Sequence, residues 1–135
     1  MKKIFLSLPM SGRTDEEINA QIEEMKAEFL LKNPFDKGEE IEFVHNFKEM
    51  EVEANTFDPF EGERKTPALY YLGRAINKMA YCDGTYFGRG WTTARGCQIE
   101  REVAYTYDIP CYIFHTLERK IVDMDRHWFE GDRDE

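Results

Sequence analysis

Lys3-Ile4-Phe5-Leu6-Ser7-Leu8-Pro9-Met10-Ser11-Gly12-Arg13-Thr14-Asp15-Glu16-Glu17 is the stretch that decides the fold class. Lys3 to Leu8 is a short, nearly continuous apolar run. A run of that length and kind suits a central strand of a parallel sheet, buried on both faces. Pro9 to Arg13 supplies turn residues. Thr14 with Glu17 three residues later is a capping box, with Thr at the N-cap. Ile18, Ile22, Met25 and Phe29 follow at spacings of four, three and four, which is one face of an amphipathic helix. Pro34 disfavours helix at the residue before it, so the helix stops near Lys32-Asn33-Pro34. The stretch therefore reads strand, loop, helix.

The same pattern repeats downstream. Ile41 to Val44 is a candidate second strand. Thr66-Pro67 restarts helix, with Thr as cap and Pro where its missing N–H is harmless. Leu69, Leu72, Ile76 and Met79 keep the helical period. Cys82 to Phe87 reads as a third strand and Gly88 to Gly96 as a loop. A further helix is expected over about 97–107, burying Ile99, Val103 and Tyr107. Cys111 to Phe114 is the fourth strand. A last helix is expected around Arg119–Phe129, followed by a solvated acidic tail, Glu130–Glu135. Alternation of strand and helix with short connections predicts an α/β fold with a mostly parallel central sheet. No internal repeat is visible. The 135 residues make one domain, 1–135, with an irregular excursion at about 45–65.

Composition narrows the function classes. A hydrophobic fraction of 41% provides a core and argues against a disordered chain. No apolar run reaches the ~20 residues that span a bilayer. The apolar stretch at the N-terminus is shorter than a signal-peptide core and runs into Pro9 without a small-residue cleavage site. The expectation is a soluble, cytoplasmic protein with no membrane partner. Eighteen Lys and Arg against 27 Asp and Glu give a net charge of −9, a field that repels polymeric nucleic acid. A small phosphorylated ligand needs only a local positive pocket and stays compatible. Three cysteines without a C-x-x-C pair and three scattered histidines give no disulfide framework and no metal site. No cofactor is expected.

In open α/β sheets, ligands sit at the carboxyl ends of the strands. Pro9, Met10, Ser11, Gly12 and Arg13 occupy one such position, ahead of a helix N-terminus suited to anions. Their other reading is a tight turn with a surface Arg. Arg13, Arg89 and Arg95 form a candidate phosphate trio; otherwise they pair with surface acids. Trp91 either stacks on a base or lids the core. Cys97 reads as a small packing residue. Asp83, at a helix–strand boundary, is a turn residue or a catalytic acid. Glu100, in the first turn of its helix, either favours the dipole or is kept ionised by it for attack. Two carboxylates converging on one crevice would match the pair used in glycosidic chemistry.

Several of these motifs together resemble the nucleoside 2-deoxyribosyltransferase-like family, in a branch common in phages and Gram-positive bacteria. They are Lys3 through Gly12, Tyr71-Leu72-Gly73-Arg74-Ala75-Ile76, Met79-Ala80-Tyr81-Cys82-Asp83, and Trp91 followed by Arg95-Gly96-Cys97-Gln98-Ile99-Glu100. The resemblance covers roughly 2–13 and 66–113. It implies a flavodoxin-like or Rossmann-like three-layer sandwich, a homo-oligomer, and cleavage of the N-glycosidic bond of a deoxynucleoside or its 5′-monophosphate. The family nucleophile is a Glu in a Glu-x-x-x-Ala pattern, which Glu100-Arg101-Glu102-Val103-Ala104 fits. The family's strand-initial Asp, which orients the sugar or assists the leaving base, maps onto Asp83. Its first loop, which binds sugar or phosphate, maps onto Pro9–Arg13, and Arg89, Trp91, Arg95 and Gly96 complete the expected substrate contacts. Phe5 stands where transferases carry a Tyr, and Thr93-Ala94-Arg95-Gly96-Cys97 where they carry Asp-Gly-Thr. A nucleotide-binding or sequestering module without turnover would share the fold and pocket.

Overall fold

The computed structural model describes residues 1–47 and 63–124. Most of the excursion at 45–65, the second half of the expected last helix and the acidic tail lie outside the described residues. Five strands form one sheet: β1 (Lys2–Ser7), β2 (Ile41–Val44), β3 (Gly84–Phe87), β4 (Cys111–His115) and β5 (Lys120–Asp123). Their order is β2-β1-β3-β4-β5. The first four are parallel, and β5 runs antiparallel on the β4 edge. The α-helices among the described residues are α1 (Asp15–Leu31), α2 (Pro67–Met79) and α3 (Arg95–Thr106). No helix among the described residues is long and apolar enough to cross a membrane.

β1 is central because both of its faces are apolar. Successive side chains point to opposite faces. Ile4 and Leu6 meet Ile18, Ile22, Met25 and Phe29 of α1, while Phe5 meets Ala75 and Met79 of α2 and Cys97 and Ala104 of α3. Helices therefore cover both faces of the sheet. Phe29, fully buried, contacts the rings of Phe35, Phe43, Tyr86 and Tyr112 at 5.3–6.1 Å. The α1 capping box forms: Thr14 Oγ1 accepts from Glu17 N–H at 3.1 Å, and Glu17 Oε1 accepts from Thr14 N–H at 2.9 Å. Those two bonds hold the Glu17 carboxyl below its ordinary range. α2 starts at Pro67, although the Thr66 side chain caps nothing. β3 begins at Gly84, where a Cβ would lie 2.8 Å from the Tyr112 ring, so the close approach of β3 and β4 requires glycine.

Three expectations change. The segment after β4 turns through Arg119, at φ +52°, and returns as β5, so Lys120–Asp123 is strand and not helix. The β-branched pair Ile121-Val122, placed just past a four-residue turn, favours a hairpin over a helix. α3 begins at Arg95, two residues early, and buries Cys97, Glu100, Arg101 and Ala104; of the expected residues, Val103 is half-buried against the core. Ile99 and Tyr107 are exposed. Spacings of three, one and three mark a single helical face, but it carries two charges, so apolar periodicity finds only its Val103 flank. On α2, Leu69 is exposed, and only Ala75 and Met79 are buried.

Candidate active site

A cleft of about 870 Å³ opens at the carboxyl end of β1. The first loop, the start of α2 and the start of α3 form its walls. Glu100 lines it from the sixth position of α3, in the second turn and not the first. Its side chain is buried, at 8% exposure. Ser7, the last residue of β1, lies on the same sheet face as Phe5, and its Oγ donates to Glu100 Oε1 at 2.6 Å. Burial pushes the Glu100 carboxyl from an ordinary 4.5 up to about 7, and the Ser7 hydroxyl opposes the rise. The helix dipole, whose influence fades beyond the first turn, does not keep this carboxyl in the ordinary acidic range. Burial also lifts the neighbouring Cys97 thiol to about 12, so it stays neutral.

α3 has no side-chain cap: Ala94 stands at the N-cap. The first intrahelical acceptor serves Gln98, so Arg95, Gly96 and Cys97 carry the N–H groups that a helix leaves unsatisfied. Arg95 and Gly96 line the cleft beside Ser11. The Arg95 side chain is exposed, and no hydrogen bond or ion pair engages it among the described residues. A Cβ on Gly96 would meet nothing within 4 Å. This rim is positive and rich in N–H donors. Across the cleft, Met10, Leu69, Tyr71 and Leu72 supply apolar and aromatic wall. The arrangement therefore offers a buried carboxyl floor, an anion-compatible rim and an apolar wall.

The other expected residues divide. Pro9, Met10 and Ser11 line the cleft. Gly12 makes the turn at φ +76°, and Arg13 folds back on α1, donating to Pro9 O and Gln21 Oε1, each at 2.6 Å. Arg89 donates to Glu24 at 2.6 Å on the far side of the sheet, beside a separate hollow of about 160 Å³. Trp91 is 6% exposed and packs on Phe87 at 5.3 Å, so it belongs to the core and that hollow. Of the arginine trio, only Arg95 reaches the cleft.

Asp83 does not meet Glu100. Its carboxyl accepts from Lys3 N–H at 2.8 Å, and its own N–H donates to Lys3 O at 2.7 Å. That anchors an exposed Asp83 at the amino end of the sheet. Ser7, which bonds Glu100, stands four residues beyond Lys3 along β1, about 13 Å at ~3.3 Å per residue. Glu100 is the one carboxylate lining the cleft among the described residues. Ser7, Asn46 and Tyr71 also line it and were not singled out by the sequence. Asn46 Nδ2 donates to Tyr71 O at 3.1 Å, fixing the start of α2 to the chain after β2. A signal for Ser7 existed: it is the polar side chain between Ile4 and Leu8 in a strand buried on both faces. Comparison with family models, curated proteins and solved structures finds no match.

Proposed function

We propose that the cleft takes a nucleoside or nucleoside 5′-monophosphate and that Glu100 cleaves or transfers at its N-glycosidic bond. The observation that carries this reading is the buried Glu100 carboxyl lining an open cleft, with Oε1 held by Ser7 and Oε2 without a partner among the described residues. The strand order and the two-sided helix cover support a flavodoxin-like three-layer arrangement, whose crevice lies at the carboxyl ends of β1 and β3. Ionised Glu100 attacks C1′ of the sugar, a C–O bond forms, and the C1′–N bond breaks with its electron pair leaving on the base. The base takes a proton from solvent. Water then cleaves the glycosyl ester and returns the carboxylate; a second base in place of water gives transfer. Arg95 and the α3 N–H groups suit a 5′-phosphate. Asp83, at the opposite end of the sheet, has no part in this scheme. Three free thiols fit a reducing cytoplasm. Exposed Leu30 and Leu31 on α1 suit an oligomer contact.

Chromatography of candidate nucleosides and 5′-monophosphates tests the reading. Wild type releases base and Glu100→Gln does not; release unaffected by the substitution rejects the assignment. A second free base that yields a new nucleoside identifies a transferase. The other reading is a nucleotide-binding module without turnover. It is favoured by one observation, that no second described carboxylate lines the cleft, and burial, which pushes Glu100 up to about 7, fits it. Thermal stabilisation by a nucleotide with no product formed would select it.

A further inference from the structure

A carboxylate that attacks carbon must present one oxygen along a fixed line. The Glu100 side chain has several rotatable bonds, so its neighbours must fix it. Ser7 is built to do this. Its backbone is locked at the end of β1, where it pairs with Phe87 and its carbonyl accepts from Gly88 N–H at 2.8 Å. Ser7 is 1% exposed, so the hydroxyl is largely withdrawn from water. A buried hydroxyl in an apolar strand is costly unless it is hydrogen-bonded, and here its 2.6 Å bond goes to Glu100 Oε1. Oε2 has no partner among the described residues, and it belongs to a side chain that lines the cleft. Among the described residues, the enclosed side-chain oxygens without a partner are Asn46 Oδ1 and Thr85 Oγ1.

We propose that Ser7 is the positioning residue of this site: by tying down Oε1 it fixes the Glu100 carboxyl and leaves Oε2 as the attacking oxygen. The consequence for activity rests on the glycosidic reading; the geometry does not. The hydroxyl donor also favours the ionised carboxyl. Cys97, the titratable neighbour on the same helix, stays neutral and does not compete for the charge. Arg95 and Tyr71 are the other ionisable groups lining the cleft among the described residues.

Ser7→Ala and Ser7→Cys test this in two arms. The first arm follows the Glu100 side-chain carboxyl by carbon-13 NMR without substrate, assigned with Glu100→Gln. In Ser7→Ala the midpoint is expected to rise by about one pH unit or more, with Ser7→Cys in between because a thiol is a weaker donor. An unchanged midpoint overturns the proposal. The second arm follows base release. Ser7→Ala should lower kcat about tenfold at neutral pH, leave KM within about threefold, and move the acid limb of the pH profile up with the NMR midpoint. Unchanged kcat and limb, with base release continuing, overturns it as well. If wild type releases no base, the glycosidic reading falls, and the NMR arm still decides whether Ser7 governs Glu100.

Discussion

Glu100→Gln should make the protein more stable, and by an amount that depends on pH. In the unfolded chain Glu100 loses its proton near 4.5; in the folded protein burial holds the proton until about 7. Between those values the folded state binds more protons than the unfolded state, so stability falls as pH rises. The favourable contribution is complete below about 4.5 and gone above about 7. At ~1.4 kcal/mol per pH unit, the gap amounts to about 3 kcal/mol. Glutamine keeps the shape and can still accept from Ser7, but it has no proton to lose. Urea unfolding of both proteins, followed by fluorescence of the buried Trp91, measures the difference. The range should start near pH 5.5, above the isoelectric point of about 4.9. About 1 kcal/mol has already been lost there, so the gap should widen by about 2 kcal/mol on reaching pH 8.5. All other carboxylates are common to both proteins and cancel. Parallel curves, or a variant less stable than wild type at the alkaline end, would refute the reasoning.

Other substitutions separate site from scaffold. Gly84→Ala drives a Cβ to 2.8 Å from the Tyr112 ring and should cost about 1–3 kcal/mol in urea unfolding. Thr14→Ala removes the α1 cap and should cost about 1 kcal/mol by the same assay. Arg95→Ala should weaken calorimetric binding of a nucleoside 5′-monophosphate about tenfold, as expected for a lost charge-assisted bond. Arg89→Ala, on the far side of the sheet, should leave that affinity within about twofold; equal losses would mean that the phosphate does not sit at the Arg95 rim.

Much of the architecture was legible because local signals agreed with one another. The Thr14–Glu17 box, the spacing from Ile18 to Phe29 and Pro67 at a helix start each named an element that formed. The misreadings share a physical cause. On α3, apolarity does not decide burial: a face holding Glu100 and Arg101 turns inward, while Ile99 stays exposed at the cleft. β5 was missed because its local signal is only the pair Ile121-Val122, and a four-residue edge strand gains most of its stability from pairing with β4. In the site, Glu100 was visible as a carboxyl early in a helix. Asp83 is as prominent in sequence, but a residue at the start of a parallel strand lies a strand's length from the residues at its end. Ser7 stood out as a lone hydroxyl in an apolar strand, but its role is set by its partner, Glu100, 93 residues away.

The central claim is that Glu100 forms a bond to the sugar. Incubation with 2′-fluoro-2′-deoxynucleosides, whose fluorine slows turnover of a glycosyl ester, followed by mass spectrometry of proteolytic peptides, tests it directly. The account predicts one adduct of sugar mass, on the peptide carrying Glu100 and absent from Glu100→Gln. Base release without that adduct, or an adduct on another residue, would contradict it.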